Sequence, residues 1–252
     1  MLNRHRREHI LESISTHNRV SVTDIAASLN VSDETVRRDL KDLEKEGLLR
    51  RVHGGAIGVA PIRDEPISTR VQKSAKEKGI IAQLAVELIS DHTSIFLNIG
   101  STTEALARRL GRFSDLKLYT NSLNIAKIAR EYFGVSVFVT PGQLRKVELD
   151  LVGYDTVSYI QNYYFDTVFM GVAGIDVDRG FMDFEEDEVR IRQALVKSAR
   201  NKVVLADSSK FGKSANICTA TFDVIDRLVT DRAPDREFKE QFEKAGMEVI
   251  HA

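Results

Sequence analysis

The sequence predicts an α/β protein of two unequal parts: a small helical domain ending in a strand hairpin, and a larger domain in which strands and helices alternate over a largely parallel sheet. Three observations carry this expectation. The first sixty residues hold three short segments of helical apolar spacing and then a basic, glycine-centred ribbon. Residues 58–69, GVAPIRDEPIST, hold two of the four prolines and show no periodicity. Beyond residue 74, β-branched apolar runs alternate with amphipathic stretches to the end of the chain. The expected divisions are 1–58, a linker at 59–73, and 74–252.

Composition narrows the class. The chain has 252 residues, 42% of them hydrophobic, enough for at least one substantial core. No run of about 18 uncharged apolar residues exists, and the opening MLNRHRREHI lacks the apolar stretch of a signal peptide. The expectation is a soluble, cytoplasmic protein with no membrane partner. The single cysteine, Cys218, has no Cys or His neighbours at ligand spacing, which predicts a buried structural thiol and neither a metal site nor a cofactor. The formal net charge of −1, and ten Lys or Arg against nine Asp or Glu in residues 1–60, give no global polyanion-binding signature. Any nucleic-acid contact must come from local placement of charge.

Element by element, Ile10, Leu11 and Ile14 predict a first helix. Ser21 or Thr23 can cap a short second one carrying Ile25, Ala26 and Leu29 and closing at Asn30. Ser32 caps a third, DETVRRDLKDLEKEG, with Val36, Leu40 and Leu43 as its apolar stripe and Gly47 as its stop. At about 100° per residue, Arg38 and Lys41 fall opposite that stripe, with Thr35 and Arg37 on its flanks. An arginine-bearing face of this kind suits the major groove, where arginine pairs with guanine edges and phosphates. LLRRVHGGAIG then reads as two strands around Gly54 and Gly55, placing Arg50, Arg51 and His53 on a wing that can reach backbone phosphates.

These residues carry a resemblance. The string VSDETVRRDLKDLEKEGLLRRVHGGA resembles the DNA-binding domain of the DeoR family of bacterial regulators, matching at Ser32, Thr35, Arg37, Arg38, Asp39, Leu40, Leu43, Glu44, Gly47, Arg51, His53, Gly54, Gly55 and Ala56. The resemblance implies a winged helix-turn-helix with Thr35, Arg37, Arg38 and Lys41 at the DNA, and Asp39 orienting an arginine. The full set expected at the duplex is Ser32, Thr35, Arg37, Arg38, Lys41, Arg50, Arg51 and His53.

In the second domain a long helix over residues 76–89 precedes the strand SIFLNI, and further strands are expected at LKLYT, VSVFVT, DTVFMGV, KVVLAD and DRLVT. Helices are expected at TEALARRL, SLNIAKIAREY, EDEVRIRQALVKSA and REFKEQFEKAG. Ligands of open α/β sheets bind beyond the carboxyl ends of the strands. Here those ends read NIGSTTE, TNSLN, TPGQLR, GVAGID and ADSSKFGK. The first suits an anion: Gly100 allows a tight turn, and Ser101, Thr102 and Thr103 supply hydroxyls beside the amides of a starting helix. Lys210 can add positive charge and Asp207 can accept from a sugar hydroxyl. The candidate effector residues are Gly100, Ser101, Thr102, Thr103, Asn121, Ser122, Gly142, Arg145, Gly171, Gly174, Asp207, Ser208 and Lys210. The acidic run DFEEDE at 183–188 is expected to be a solvated helix start favoured by the helix dipole, not a metal site.

GSTTEAL, TNSL, Gly153, the Gly171 to Ile175 segment, DSSKFG and VTD at 229–231 resemble the DeoR-type sensor domain, which implies a sugar-phosphate-isomerase-like α/β fold. Asn98 stands where that family commonly has Asp, and TPGQL replaces its more usual Gly-Gly turn, so the identity of the ligand does not carry over. The function expected is a non-enzymatic repressor of a sugar or polyol operon, dimeric or tetrameric, binding double-stranded operator DNA under control of a phosphorylated effector. Two alternatives stand beside it: a phosphosugar isomerase with an appended DNA-binding domain, with Asp207 or Glu104 as base, and a DNA-binding module on a purely structural oligomerisation domain.

Overall fold

The computed structural model describes residues 3–17, 19–46, 48–52, 54–58 and 67–252. The chain divides into two compact units, Met1–Arg63 and Asp64–Ala252.

In the first unit, α1 (Asn3–His17), β1 (Arg19–Ser21), α2 (Val22–Leu29) and α3 (Asp33–Lys45) are followed by β2 (Leu49–Val52) and β3 (Gly55–Gly58). Ser21 caps α2 by accepting from the Asp24 N–H at 3.4 Å, and Ser32 caps α3 by accepting from Thr35 at 3.3 Å. Between them Asn30 takes the left-handed conformation, φ 51°, that turns one helix into the next. The expected stripe of Val36, Leu40 and Leu43 is fully buried against Ile10, Ile25 and Leu49. The wing is a three-stranded antiparallel sheet in the order β1-β3-β2, and β1 is a strand that three residues are too few to announce by period. The expected stop at Gly47 and the wing residue His53 lie outside the described residues, as does 59–66 of the expected linker.

Residues 67–72, also expected to be linker, form a helix, α4 (Ile67–Gln72). The reason is tertiary: the Lys78 ammonium donates to the carbonyl oxygens of Arg70 and Lys73, closing the helix end. The remainder of the unit runs α5 (Ala75–Ala85), β4 (Ser94–Leu97), α6 (Ser101–Ala107), β5 (Leu116–Thr120), α7 (Leu123–Ala129), β6 (Val135–Val139), β7 (Gln143–Arg145), β8 (Asp150–Val152), α8 (Tyr154–Gln161), β9 (Phe165–Gly171), β10 (Gly174–Asp176), β11 (Gly180–Asp183), α9 (Glu186–Lys197), β12 (Ala199–Leu205), β13 (Ile217–Ala220), β14 (Arg227–Val229), α10 (Arg236–Ala245) and β15 (Glu248–Ile250).

Seven strands form one sheet in the order β15-β14-β12-β9-β4-β5-β6, every neighbouring pair parallel. Strand alternation divides the core in two: Phe96, Val168 and Met170 face Ile191, Leu195 and Phe242, whereas Ile95, Leu97 and Phe169 face Ile81, Leu106 and Ile125. The chain builds outward from β4 through β5 to β6, then returns to the other side of β4 with β9 and continues to β15. The order therefore reverses between β4 and β9, which opens a crevice at their carboxyl ends. A small antiparallel sheet, β10-β11-β13, and the hairpin β7-β8 project beyond that edge.

One expectation about the core is corrected. Cys218 is exposed, its Sγ donating to the Arg179 carbonyl at 3.2 Å, whereas the next two residues of β13, Thr219 and Ala220, are buried.

Candidate functional site

In the first unit, α3 exposes Arg38 and Lys41 to solvent, and neither side chain has a hydrogen-bond or ion-pair partner among the described residues. Arg37 is exposed beside Asp33 and Glu34 at 3.7 and 3.8 Å. Thr35 and Ser32 share a hydroxyl contact of 2.9 Å at the helix start, so Ser32 serves first as a cap. Arg51 is engaged: its N–H and its Nε donate to the two oxygens of Glu44 at 2.8 and 2.9 Å. Those bonds, the backbone one foremost, hold the Glu44 carboxyl below the usual carboxylate range. Glu44 thereby ties the wing to α3. A cleft of about 520 Å³ lies between them, lined by Arg37, Arg51, Gly54 and Gly55, and Arg50 is exposed on the wing. Asp39 is buried and accepts from Arg6 on α1, so it does orient an arginine, one that braces the helix and does not lie on its outer face.

In the second unit, the five loops singled out in the sequence follow β4, β5, β6, β9 and β12, five adjacent strands, and so gather along one edge of the sheet. At the reversal point, a Cβ on Gly100 would lie 4.0 Å from the Cα of Gly171 and 3.1 Å from Thr103 Oγ1, so the backbones of two loops face each other there. Ser101 is half-buried and Thr102 buried. Thr103 is spent internally, donating to the carbonyls of Asn98 and Gly100 at 2.7 and 2.8 Å. Asn121 stitches three loops together, its Oδ1 accepting from the Ile99 N–H and from Asn98 Nδ2 and its Nδ2 donating to Leu151 O. Ser122 caps α7.

Gly142 and Gly174 have structural reasons for their identity. A Cβ on Gly142, at φ 142°, would lie 2.2 Å from Thr156 Oγ1, and one on Gly174 would lie 2.2 Å from the Lys213 carbonyl. After β12, Asp207 is buried and accepts from the Ser209 N–H, and Ser208 donates from its N–H and hydroxyl to Asp231 at 2.6 and 2.9 Å. Lys210 is half-buried at the end of that turn, and its ammonium has no partner among the described residues. On this edge the side chains of Ser101, Thr102 and Lys210 make no hydrogen bond or ion pair among the described residues.

Arg145 is placed in a buried ion network. Its guanidinium forks onto Asp150 at 2.8 and 2.7 Å and reaches Glu188 at 2.5 Å, while Arg192 bridges Glu188 at 2.8 Å and Asp183 at 2.6 Å. The acidic run is thus solvated only at Glu185, Glu186 and Asp187; Asp183 and Glu188 are 1% and 3% exposed. The spacing of Glu188 and Arg192, four residues apart on a helix, is the one sequence signal of this pairing. Among the described residues no group of three or more His, Cys, Asp or Glu could hold a metal ion.

Glu104, on α6 one residue past the hydroxyl run, is also buried, and accepts from Asn124 Nδ2 at 3.0 Å. Burial raises its carboxyl above the ordinary range, with the Asn124 bond opposing. An acid whose folded value is raised costs stability above its unfolded value of about 4.3 and costs nothing well below it. Glu104→Gln, which keeps an acceptor for Asn124, is expected to raise the melting temperature at pH 7, the gain vanishing below about pH 4. Thermal unfolding of both proteins at the two pH values measures it, and an equal gain at both would show that charge is not the cause.

The comparisons with known proteins come to the same two units. The DeoR-like helix-turn-helix domain matches residues 6–60 and the DeoR C terminal sensor domain matches residues 73–232. Among curated relatives, the HTH-type transcriptional regulator GlpR of Haloferax volcanii is 33% identical, covering 99% of this chain and 98% of its own. The glycerol-3-phosphate regulon repressor of Escherichia coli is 31% identical, with 91% of each chain covered. The HTH-type transcriptional repressor GlcR of Bacillus subtilis is 31% identical, covering 96% of this chain and 93% of its own. Among solved structures, a D-ribose-5-phosphate isomerase in complex with phospho-erythronic acid aligns at 20% identity and a TM-score of 0.40 over 54% of each chain.

Proposed function

The chain belongs to the DeoR family of transcriptional regulators, and on that premise we propose that it represses a sugar or polyol catabolic operon and that a phosphorylated sugar-like effector, bound at the sensor unit, controls its hold on operator DNA. The relatives aligned along nearly their full length are named repressors and regulators, so the protein is a regulator and not an isomerase. The observation that carries the effector reading is the crevice at the β4/β9 reversal, where the Gly100 and Gly171 loops face each other beside Ser101 and Thr102. Lys210, an ammonium on the same edge with no partner among the described residues, supports a negatively charged occupant.

On the DNA side, Arg37, Arg38 and Lys41 on α3 and Arg50 on the wing supply the duplex contacts, with the amides and hydroxyls of Ser32 and Thr35 at the helix start. Twofold operators call for at least a homodimer. A repressor acts where the chromosome lies, so a cytoplasmic location is part of the proposal; no helix among the described residues is long and apolar enough to cross a membrane. An effector can shift DNA affinity only through unequal affinity for the free and DNA-bound arrangements.

The test is fluorescence anisotropy of the full chain on the DNA upstream of its own gene, with and without ribose 5-phosphate, glycerol 3-phosphate and fructose 6-phosphate. Thr102→Ala and Lys210→Ala are expected to bind DNA as the parent does and to lose the response to the phosphorylated compound. No retention of any upstream fragment at low salt would overturn the repressor reading. Retention with no response and no rise in melting temperature with any phosphorylated compound would favour a purely structural second unit.

A further inference from the structure

The seven-stranded parallel sheet ends in two unlike edges. At one, β15 carries Glu248, which pairs with Arg227 of β14 at 2.7 Å, and a charge on an edge blunts it against other strands. At the other, β6 reads VSVFV, with no charge, no proline and no bulge against β5. Apolar exposure gathers around that second edge. Of the large hydrophobic side chains exposed among the described residues, all but Leu48 and Val224 fall between residues 133 and 164, Phe138 and Val139 of β6 among them. Phe138 stacks on Tyr119 of β5 at 4.7 Å, and Tyr119 meets Tyr163 at 5.1 Å, so a row of rings runs out to the edge and ends there with Phe138 39% exposed. Aromatic side chains are enriched where proteins meet proteins.

The backbone of β6 says what this edge accepts. The Gly134 carbonyl accepts from the Leu116 N–H and the Thr140 N–H donates to the Thr120 carbonyl, so the even-numbered residues here turn their peptide groups to β5. Val135, Val137 and Val139 therefore turn theirs outward, where no further strand lies among the described residues. An antiparallel copy of the same strand, centred on Val137, matches that pattern with itself. Val137 faces Val137 and exchanges both peptide hydrogen bonds, and the Val139 N–H of each copy donates to the Val135 carbonyl of the other. On one face valine then meets valine throughout; on the other, Ser136 of one copy lies across from Phe138 of its partner, a small side chain beside a large ring. We propose that β6 is the dimer interface of the sensor unit, joining two copies of this chain edge to edge about a twofold axis at Val137, so that their sheets run on as one. A surface that pairs with itself in this way closes a homodimer. The inference deepens the repressor reading above, whose twofold operator calls for a second copy, and names the surface that holds it.

Two measurements on the full chain test it. In sedimentation velocity at micromolar concentration the wild type is expected to run as a dimer or a multiple of one, and Val139→Lys, which puts a charge on the free edge, to dissociate about tenfold or more readily. In a Cys218→Ser background, Val137→Cys is expected to form an interchain disulfide under mild oxidation, because directly opposed residues of such a pair stand about 5.5 Å apart at Cα, within disulfide reach. Val224→Cys, exposed ahead of β14, is the control and should stay unlinked on a non-reducing gel. Cross-linking decides the matter if Val139→Lys misfolds. A monomeric wild type, a folded Val139→Lys that dimerises as tightly as the wild type, or a Val137→Cys that links no faster than Val224→Cys overturns the pairing. Anisotropy on the upstream DNA keeps the two readings apart: a dimer that retains no fragment overturns the repressor reading and leaves this interface standing, and a monomer that retains one does the reverse.

Discussion

Arg192→Met is expected to destabilise the sensor unit by about 3–5 kcal/mol, because it takes from buried Asp183 the arginine beside it and from buried Glu188 one of the two that hold it. Arg192 is 3% exposed and holds Asp183 and Glu188 at once; Arg145 supports Glu188 from the other side but is already shared with Asp150. Burial pushes the Glu188 carboxyl up, yet the charges of Arg192 and Arg145 more than offset it and hold the group below its ordinary value. A group depressed in the folded state contributes stability that is complete above its unfolded value, about 4.3, and is lost as pH falls through the lower folded value. The deficit of Arg192→Met is therefore expected to be widest near pH 7 and to narrow below about pH 4. Urea unfolding at both pH values measures it, and a change under about 1 kcal/mol at pH 7 would mean that water reaches the network. Replacing Arg192, Glu188 and Asp183 together by apolar residues of similar volume is expected to cost far less, since no lone charge is then left inside.

Arg38→Ala is expected to weaken operator binding by about 1–3 kcal/mol, roughly fivefold to 150-fold, if its guanidinium reads a base edge. Its melting temperature should not change, because the side chain is exposed and makes no contact that the fold requires. Arg51→Ala offers the contrast. Its guanidinium is committed to Glu44 at 2.9 Å, so its removal is expected to loosen the wing and cost less at the DNA. Lys41→Ala should weaken binding evenly across sequences and flatten the salt dependence by about one charge. Anisotropy titrations over a range of salt with the upstream DNA and a scrambled duplex distinguish these cases, and an Arg38→Ala protein of undiminished affinity would move the recognition surface off α3.

The two arginines differ for a reason that no sequence pattern holds. Arg38 and Arg51 both sit in the matched DNA-binding string, and their helical and strand positions were legible from period alone. Arg51 is engaged by Glu44, which reaches the wing only once α3 and β2 are folded together, whereas Arg38 meets no such partner among the described residues. The effector loops divide in the same way. Their sequences marked Thr103, Asn121, Ser122 and Ser208 as polar strand-end residues, and they are; folded, their hydrogen bonds go to neighbouring loops, caps and Asp231, which leaves Ser101, Thr102 and Lys210 with capacity to spare. Arg145, expected at the effector, is instead shared between Asp150 and Glu188.

Sequence alone determined the three helices of the first unit and the alternation of strand and helix that makes a parallel sheet, because burial on one face imposes a repeat of 3.6 or 2 on neighbouring residues, and its cap and turn residues gave Ser32 and the wing after α3 while leaving Ser21 and Thr23 both open as the cap of α2. Tertiary structure alone decided the strand order and its reversal at β4 and β9, the helical state of residues 67–72, and the fate of Asp183 and Glu188. A charged residue looks the same in sequence whether water or an arginine some forty positions away neutralises it. Desolvation and ion pairing act through space, and only the folded chain sets those distances.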